Sequence, residues 1–362
     1  MKKTRILCAA LCAIMAAGMM IGCGGSASQT AAAPTAAPAV EYKWAFGKKN
    51  DAVNDLKLTP ASQQGTVTEI TYETPAYAVN DLLGLNETLT KKATVYLPYG
   101  YDESKQYNVL YLLHGTKGES DGPMEEFWLV QWGEQTRNVL DNMIEKGLCE
   151  PLIVVCPNYY SYVDGHELGD EQAKALSEKL NDDILYATES EDGGELDNPQ
   201  NIWPVYFGQE LRNNLIPAVE AQFATYANGN VSEANLIATR EHRALAGLSR
   251  GSMTVARAGL TENVDIIAYF GNYSGIWQQF DAFKEALTGK FKDYAIQFWY
   301  NGNGRADFAK ENHETFLDQV KAELSDRFVD GENFAYVCLR DGAHMYFSWL
   351  VDLYNSLLVF YK

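Results

Sequence analysis

The stretch "HRALAGLSRGSM", residues 242–253, joins a short apolar run to a segment with helical periodicity. The run Ala244–Ala246 is typical of a buried strand, and it ends in a G-x-S-x-G pattern whose serine is Ser249. Between a strand and a helix this pattern is typical of a serine nucleophile on a sharp turn, where the glycines allow close packing around a strained residue. An ordinary turn serine is the alternative. The strand-to-helix context favours Ser249 as a nucleophile.

Short, nearly continuous apolar runs recur along the chain and indicate buried central strands. They end at Gly115, Asn158, Ser249, Gly271, Gly302 and Gly342. Segments with helical periodicity lie between them at 133–146, 207–223, 252–260, 280–287, 308–324 and 345–361. Residues 66–73 and 90–97 alternate polar and apolar side chains, as antiparallel edge strands do. The pattern predicts an α/β fold with a mostly parallel sheet of about eight strands and helices on both faces.

A serine hydroxyl needs a general base, and reactive groups in such sheets lie beyond the carboxyl ends of the strands. Of the five histidines, only His344 follows the last apolar run, where a hydrolase places its base. His242 precedes its strand and His166 lies in a long insertion. His313 falls within a helical segment and is expected at the surface, whereas His114 is expected to be structural. The sequence therefore predicts His344 as the base.

The acid of a catalytic triad should follow an intervening strand and orient the imidazole. Asp307 meets this condition, while Asp341 lies in the same turn as His344 and is expected to cap that turn. Two backbone N–H groups are needed to bind the oxyanion. We predict those of Arg250, which follows the nucleophile, and of Thr116, which follows the first central strand.

Four motifs together resemble carbohydrate esterase family 1, the feruloyl and acetylxylan esterases of the α/β-hydrolase fold. They are "VLYLLHG", "HRALAGLSRGSM", "YNGNGRADF" and "DGAHMYFSWLVDLYNSLLVFY". The resemblance covers roughly residues 90–362 and implies a triad of Ser249, Asp307 and His344. Arg250 stands where the family often has methionine, and Thr116 where it often has glycine. Neither departure removes a backbone donor.

The resemblance implies a serine esterase that acts on plant cell-wall polysaccharide, most simply on feruloyl esters. Planar aryl groups stack well on aromatic side chains, so Trp128, Tyr160 and Trp203 are predicted to contact the substrate. The last two lie at the ends of an acidic insertion at about 159–204. An acetylxylan esterase, an acyltransferase and a tethered carbohydrate-binding lipoprotein are the alternatives. No cofactor or metal is expected, because the triad chemistry needs none.

The amino terminus predicts export. Basic residues at positions 2, 3 and 5 precede an apolar run, 6–21, that is short for a membrane span. Met20-Ile21-Gly22-Cys23 resembles a bacterial lipobox, so residues 1–22 are predicted to be a signal peptide and Cys23 to carry lipid. Residues 23–40 would form a flexible tether and 41–362 a single esterase domain. An ordinary signal peptide cut near Ala39 is the alternative.

The net charge of −19 argues against nucleic acid and against charge-driven docking on anionic lipid. The expected contact with the membrane is therefore the lipid anchor alone, outside the cytoplasm. Cys149, Cys156 and Cys338 lack the spacing of a metal cluster or a disulfide framework. Cys156 and Cys338 lie in apolar runs and are expected to be buried, although the sequence leaves one disulfide open.

Overall fold

One eight-stranded sheet carries the structure. The computed structural model describes residues 42–47, 52–116, 122–160, 171, 206–276 and 280–362. The strands are β1 (Thr66–Pro75), β2 (Thr88–Leu97), β3 (Asn108–Leu113), β4 (Leu152–Pro157), β5 (Arg243–Leu248), β6 (Tyr269–Tyr273), β7 (Phe298–Gly304) and β8 (Phe334–Leu339). Their spatial order is β1-β2-β4-β3-β5-β6-β7-β8. Only the pairs β1–β2 and β2–β4 are antiparallel, which confirms the predicted mostly parallel sheet.

Burial along the strands explains the two sequence patterns. Every residue of β3, β4 and β5 is buried, because helices cover both faces of the central sheet. In contrast, β1 and the first half of β2 alternate exposed and buried residues, as an edge with one wet face does. The apolar runs and the alternating stretches thus report the position of each strand within the sheet.

Helices connect the strands at the predicted places. They are α1 (Ala52–Leu58), α2 (Tyr77–Leu83), α3 (Gly133–Glu145), α4 (Phe207–Glu210), α5 (Ile216–Gln222), α6 (Glu233–Ala238), α7 (Arg250–Thr254), α8 (Phe280–Thr288), α9 (Lys310–Glu323) and α10 (Tyr346–Leu357). A π-helical segment at Leu211–Leu215 joins α4 to α5. A second one, at Val255–Thr261, extends α7. The sequence analysis missed α1, α2 and α6, because six or seven residues are too few to show a helical period.

A buried ion pair anchors the beginning of β5, the strand that leads to the serine. Arg243 donates from Nε to Glu220 Oε1 at 2.5 Å and from Nη2 to Glu220 Oε2 at 2.8 Å, and both side chains are 1% exposed. The same guanidinium also donates to the carbonyl of Leu236 in α6 at 2.7 Å. These bonds satisfy the buried charges and tie β5 to two helices.

Some predictions fall on residues outside the described part of the chain, and others can be checked within it. Residues 1–41 and nearly all of the 159–204 insertion lie outside it, so the leader, tether and insertion stay predictions. Among the described residues no helix has the length and apolar character to cross a membrane, and no three metal-ligating side chains gather. Cys149, Cys156 and Cys338 are free thiols, and Cys338 is partly exposed rather than buried as expected.

Candidate active site

Ser249 occupies the sharp turn between β5 and α7. Its backbone has φ 52° and ψ −119°, a conformation that side-chain-bearing residues rarely adopt. The Ser249 N–H donates to the carbonyl of Tyr273 at 2.8 Å, and its own carbonyl accepts from Met253 at 3.1 Å. Neighbouring strand and helix therefore hold the strained residue with its side chain at the sheet edge.

Close packing around the turn explains its glycines. A Cβ on Gly251 would lie 2.2 Å from the carbonyl oxygen of His114, and one on Gly115 would lie 2.5 Å from Leu248 Cδ1. The same Gly115 position is 3.5 Å from Ser249 Cβ. Any larger residue would separate α7 from the loop after β3. The glycines thus bring that loop directly against the nucleophile.

The structure brings together the three residues that the sequence selected for a triad. His344 Nε2 lies 3.0 Å from Ser249 Oγ, and His344 Nδ1 lies 2.9 Å from Asp307 Oδ1. The side chain of Asp307 is fully buried, whereas that of His344 is 20% exposed. Asp341, the competing acid, is exposed and does not contact the imidazole. The arrangement lets His344 take the hydroxyl proton while Asp307 orients the ring.

Asp307 is held by more than its histidine. Ser274 donates from Oγ to Asp307 Oδ2 at 2.6 Å, and the Ala309 N–H donates to Oδ1 at 2.9 Å. Trp349 Nε1 in turn donates to Ser274 Oγ at 2.7 Å. Burial alone raises the pKa of Asp307, but the hydrogen bonds from His344, Ser274 and Ala309 outweigh it and hold the pKa below its usual value. The carboxylate is therefore kept ionised and fixed.

Sequence reasoning missed Ser274 and Trp349. Ser274 follows β6 at the carboxyl edge and adopts a φ of 60°, so the rule that reactive groups follow strand ends also applied to it. Trp349 gave no signal, because its side chain points from α10 to the site only in the folded chain.

His313 corrects an expectation, because it is fully buried in α9 rather than exposed. The Gly275 N–H donates to its Nδ1 at 3.2 Å, and the side-chain oxygen Oδ1 of Asn303 lies against the same nitrogen. The other ring nitrogen, Nε2, lies 2.9 Å from Asn301 Oδ1. Burial lowers the pKa of His313 to about 3, so the ring is neutral. This cluster supports the turn that carries Ser274.

The two residues predicted to supply the oxyanion hole, Arg250 and Thr116, directly follow Ser249 and Gly115 in the chain. Arg250 is the first residue of α7. Thr116 follows Gly115 in the loop that packs against Ser249, and it is exposed. Binding of the oxyanion by their N–H groups stays a prediction. His114 is buried beneath this loop, as a structural residue would be.

The structure corrects two of the three predicted substrate contacts. Trp128 is fully buried, and its Nε1 donates to the carbonyl of Leu113 at 3.1 Å. Tyr160 is 3% exposed, with its hydroxyl 3.5 Å from the carbonyl of Gly115. Neither ring offers a face to a substrate. Trp203 lies outside the described residues.

Other aromatic residues surround His344 at the surface. Phe308 is 73% exposed, and its ring centroid lies 4.3 Å from that of His344. Trp132 is 44% exposed and stacks on Tyr346 with centroids 4.5 Å apart. Met345, between His344 and Tyr346, is 49% exposed. Phe308 directly follows the acid in the sequence, and that adjacency was the signal available for it.

The comparison with protein families agrees with this site. Residues 89–360, which include all three triad residues, match the family model Esterase, described as "Putative esterase". The chain belongs to this esterase family. It is therefore a carboxylic ester hydrolase, and the resemblance to family 1 carbohydrate esterases is confirmed. The intact, hydrogen-bonded triad argues against the alternative of a tethered carbohydrate-binding lipoprotein.

Known proteins resemble this esterase over most of its length. Endo-1,4-beta-xylanase Y of Acetivibrio thermocellus is 27% identical over 335 residues, which are 90% of this chain but only 26% of the xylanase. A mutant feruloyl esterase module from Clostridium thermocellum, solved with sinapinate, is 26% identical with a TM-score of 0.63, covering 85% of this chain and 92% of the module.

A ferulic acid esterase from Anaeromyces mucronatus, solved with ferulic acid, has a TM-score of 0.56 at 17% identity, over 85% of this chain and 95% of that one. At this identity the likeness shows the fold alone. The likeness to the Clostridium thermocellum module and to the Anaeromyces mucronatus enzyme confirms that this chain has the α/β-hydrolase fold.

Replacing Ser249 by alanine should abolish ester hydrolysis, because among the described residues no other hydroxyl is hydrogen-bonded to the imidazole. We expect a loss of kcat of at least about 10³-fold with the protein still folded. A serine-directed phosphonate should label Ser249 in the wild type. Ser252→Ala is the control, since Ser252 is buried in the same helix and bonds instead to the Gly275 carbonyl. Labelling that persists in Ser249→Ala would show another nucleophile.

Asp307→Asn should lower kcat by about 10³-fold or more, because the amide no longer orients the imidazole or stabilises its charge. Asp341→Asn is the matched control, with the same change on an exposed carboxylate three residues before His344. We expect it to keep near wild-type kcat. Steady-state kinetics with an aryl acetate measure both. A crippled Asp341→Asn beside a mild Asp307→Asn would reverse the assignment of the acid.

Proposed function

We propose that this esterase hydrolyses feruloyl and related hydroxycinnamoyl esters on plant cell-wall polysaccharide. The observation that carries the proposal is the exposed aromatic surface at His344, formed by Phe308 and Trp132. Large apolar side chains that stay exposed beside a reactive group are typical of a binding surface. The likeness to a feruloyl esterase module and to a xylanase supports the same acyl group and polymer.

The aromatic groups are linked through the residues of α10 and its turn. Trp349 contacts the His344 ring edge to face, with centroids 5.2 Å apart and an interplanar angle of 86°. Phe127 lies 6.4 Å from both Trp349 and Tyr346. Trp132 thus stacks on a ring, that of Tyr346, which packs on Phe127 in turn, and Phe308 packs on His344 itself. A flat aryl or sugar ring gains area and stacking energy on such faces, whereas an acetyl group is too small to use them.

The reaction then follows from the triad. Ser249 Oγ attacks the ester carbonyl while His344 takes its proton, and the N–H groups of Thr116 and Arg250 stabilise the oxyanion. His344 returns the proton to the leaving alcohol of the sugar. Water, activated by the same imidazole, releases the acid from the acyl-enzyme. An acetylxylan esterase or an acyltransferase would share these steps and differ in the acyl group or the acceptor.

We also propose that the esterase is exported and held on the outer side of the cytoplasmic membrane by lipid on Cys23. The support is the basic start, the apolar run to position 21 and the cysteine that ends it. A substrate as large as cell-wall polysaccharide does not enter a cell. Export is therefore consistent with the proposed substrate.

Phe308→Ala should lower kcat/KM for methyl ferulate about tenfold, because the exposed ring loses its contact with the aryl group. Trp132→Ala should act in the same direction. The kcat/KM for hydrolysis of an aryl acetate, measured by release of the alcohol, should change less than twofold if the acetyl group does not reach these rings. Tyr99→Ala is the control, since Tyr99 is 58% exposed beyond the end of β2.

Three outcomes separate the alternatives for this prediction. Equal losses on both substrates would mean that the rings support the triad rather than bind the aryl group. No loss on either substrate, with rapid hydrolysis of acetylated xylan, would favour the acetylxylan esterase. Transfer of the acyl group to a sugar in preference to water would favour the acyltransferase.

Cys23→Ser should release the esterase from membranes without loss of kcat, because the catalytic domain begins well beyond the anchor. Cell fractionation followed by an esterase assay measures the distribution. Cys149→Ser, which changes a buried thiol of the domain, is the control and should stay with the membrane fraction. A wild-type protein found wholly in the soluble fraction would contradict the anchor.

A further inference from the structure

The carbonyl oxygen of Gly115 is surrounded by hydrogen-bond donors. It accepts from His114 Nδ1 at 2.7 Å, from the Tyr159 hydroxyl at 3.1 Å and from the Tyr160 hydroxyl at 3.5 Å. All three donor side chains are at least 97% buried. The Tyr159 ring also stacks on His114, with centroids 4.2 Å apart and an interplanar angle of 13°. Few carbonyls in a loop are held so completely.

Holding this carbonyl fixes the orientation of the next N–H. The Gly115 C=O and the Thr116 N–H belong to one planar peptide, and in a trans peptide they point in opposite directions. The oxygen points toward the two tyrosines, so the N–H points away from them. Gly115 itself packs against Ser249. The Thr116 N–H is the group that would stabilise the oxyanion.

We propose that Tyr159 and Tyr160 are positioning residues for the oxyanion hole. Their hydroxyls hold the Gly115–Thr116 peptide in the orientation that donates to the transition state, and they do not touch the substrate. The proposal rests on ester hydrolysis through Ser249 but not on the identity of the acyl group. It assigns the buried Tyr160 a role other than the substrate contact expected from the sequence.

A buried ion pair fixes the tyrosines from the other side. Lys91 Nζ donates to the carbonyl of Tyr160 at 2.8 Å and to Glu210 Oε1 at 2.7 Å, and the Tyr72 hydroxyl donates to the same carboxylate oxygen at 2.7 Å. The Lys91 side chain is fully buried and that of Glu210 is 6% exposed. Because these groups are already in place before the substrate arrives, the donor needs no reorganisation during the reaction.

The test is Tyr159→Phe, which keeps the ring and its stacking on His114 but removes the hydroxyl. We expect kcat to fall about tenfold with KM within twofold, less than the roughly 10²–10³-fold loss when an oxyanion donor is deleted outright. The loss should be equal for an aryl acetate and for methyl ferulate, because every ester forms the oxyanion. Tyr160→Phe should show a smaller loss in the same direction, since its bond is longer.

Tyr361→Phe is the matched control. Its hydroxyl donates to the carbonyl of Val109 at 2.7 Å, so the same change removes the same kind of bond from the other end of β3. It should leave kcat unchanged.

A trifluoromethyl ketone adds a readout that a purely structural role would not move. It forms a tetrahedral adduct with serine, so its inhibition constant should rise in proportion to the loss of kcat/KM in Tyr159→Phe and Tyr160→Phe. Binding of free ferulate should not change.

Unchanged kcat in both tyrosine variants would overturn the proposal, as would a loss in KM alone or an equal loss in Tyr361→Phe. The expected loss of kcat on an aryl acetate in the tyrosine variants supports the positioning role. This holds even if the wild-type protein does not hydrolyse methyl ferulate. That last result would instead reject the proposed feruloyl specificity.

Discussion

The close approach of the α7 backbone to the loop after β3 is the constraint on which the catalytic centre depends. With 2.2 Å between a hypothetical Gly251 Cβ and the His114 carbonyl oxygen, only glycine permits the approach. It brings the loop that continues into Thr116 against the turn of Ser249 and Arg250. The strained φ of 52° at Ser249 is maintained because strand, helix and loop all restrain it. The geometry of the reaction is therefore fixed by backbone packing, with the side chains of the triad added to it.

The strands and the triad could be predicted because both follow from local patterns. A buried strand, a strand end and a reactive residue beyond it are all visible in consecutive residues, which is why Ser249, Asp307 and His344 were found. The direction of an aromatic side chain is a different matter. Tyr160 and Phe308 both follow strand ends, yet the first is 3% and the second 73% exposed. Which of them turns inward depends on the space left by residues distant in sequence, so the residues that line the site could not be derived from local patterns.

Polar side chains behind the catalytic groups form a second layer of support. Ser274 and Trp349 restrain the acid, and the hydroxyls of Tyr159 and Tyr160 bond to the loop of the oxyanion hole. Ser274, Tyr159 and Tyr160 are buried and Trp349 is partly buried, and an unsatisfied polar group in such places would be costly. The same hydrogen bonds therefore satisfy these polar groups and orient the catalytic residues. A sequence gives little sign of this layer, because its members follow three different strands, β4, β6 and β8.

The neutral state of His313 makes the fold sensitive to acid. Its pKa is about 3 in the folded protein against an ordinary 6.5, so between these values the unfolded chain takes up a proton that the native protein excludes. Stability therefore falls as the pH drops, by roughly 1.4 kcal/mol per pH unit for one such proton. Across that window the loss is on the order of 5 kcal/mol, comparable to the whole stability of a marginal domain. Asp307 loses its contribution only as the pH falls below the ordinary carboxyl value of 3.8, because its pKa in the folded protein is lowered from that value. Acid thus weakens the turn that carries Ser274 before it neutralises the catalytic carboxylate, and inactivation at low pH would accompany unfolding.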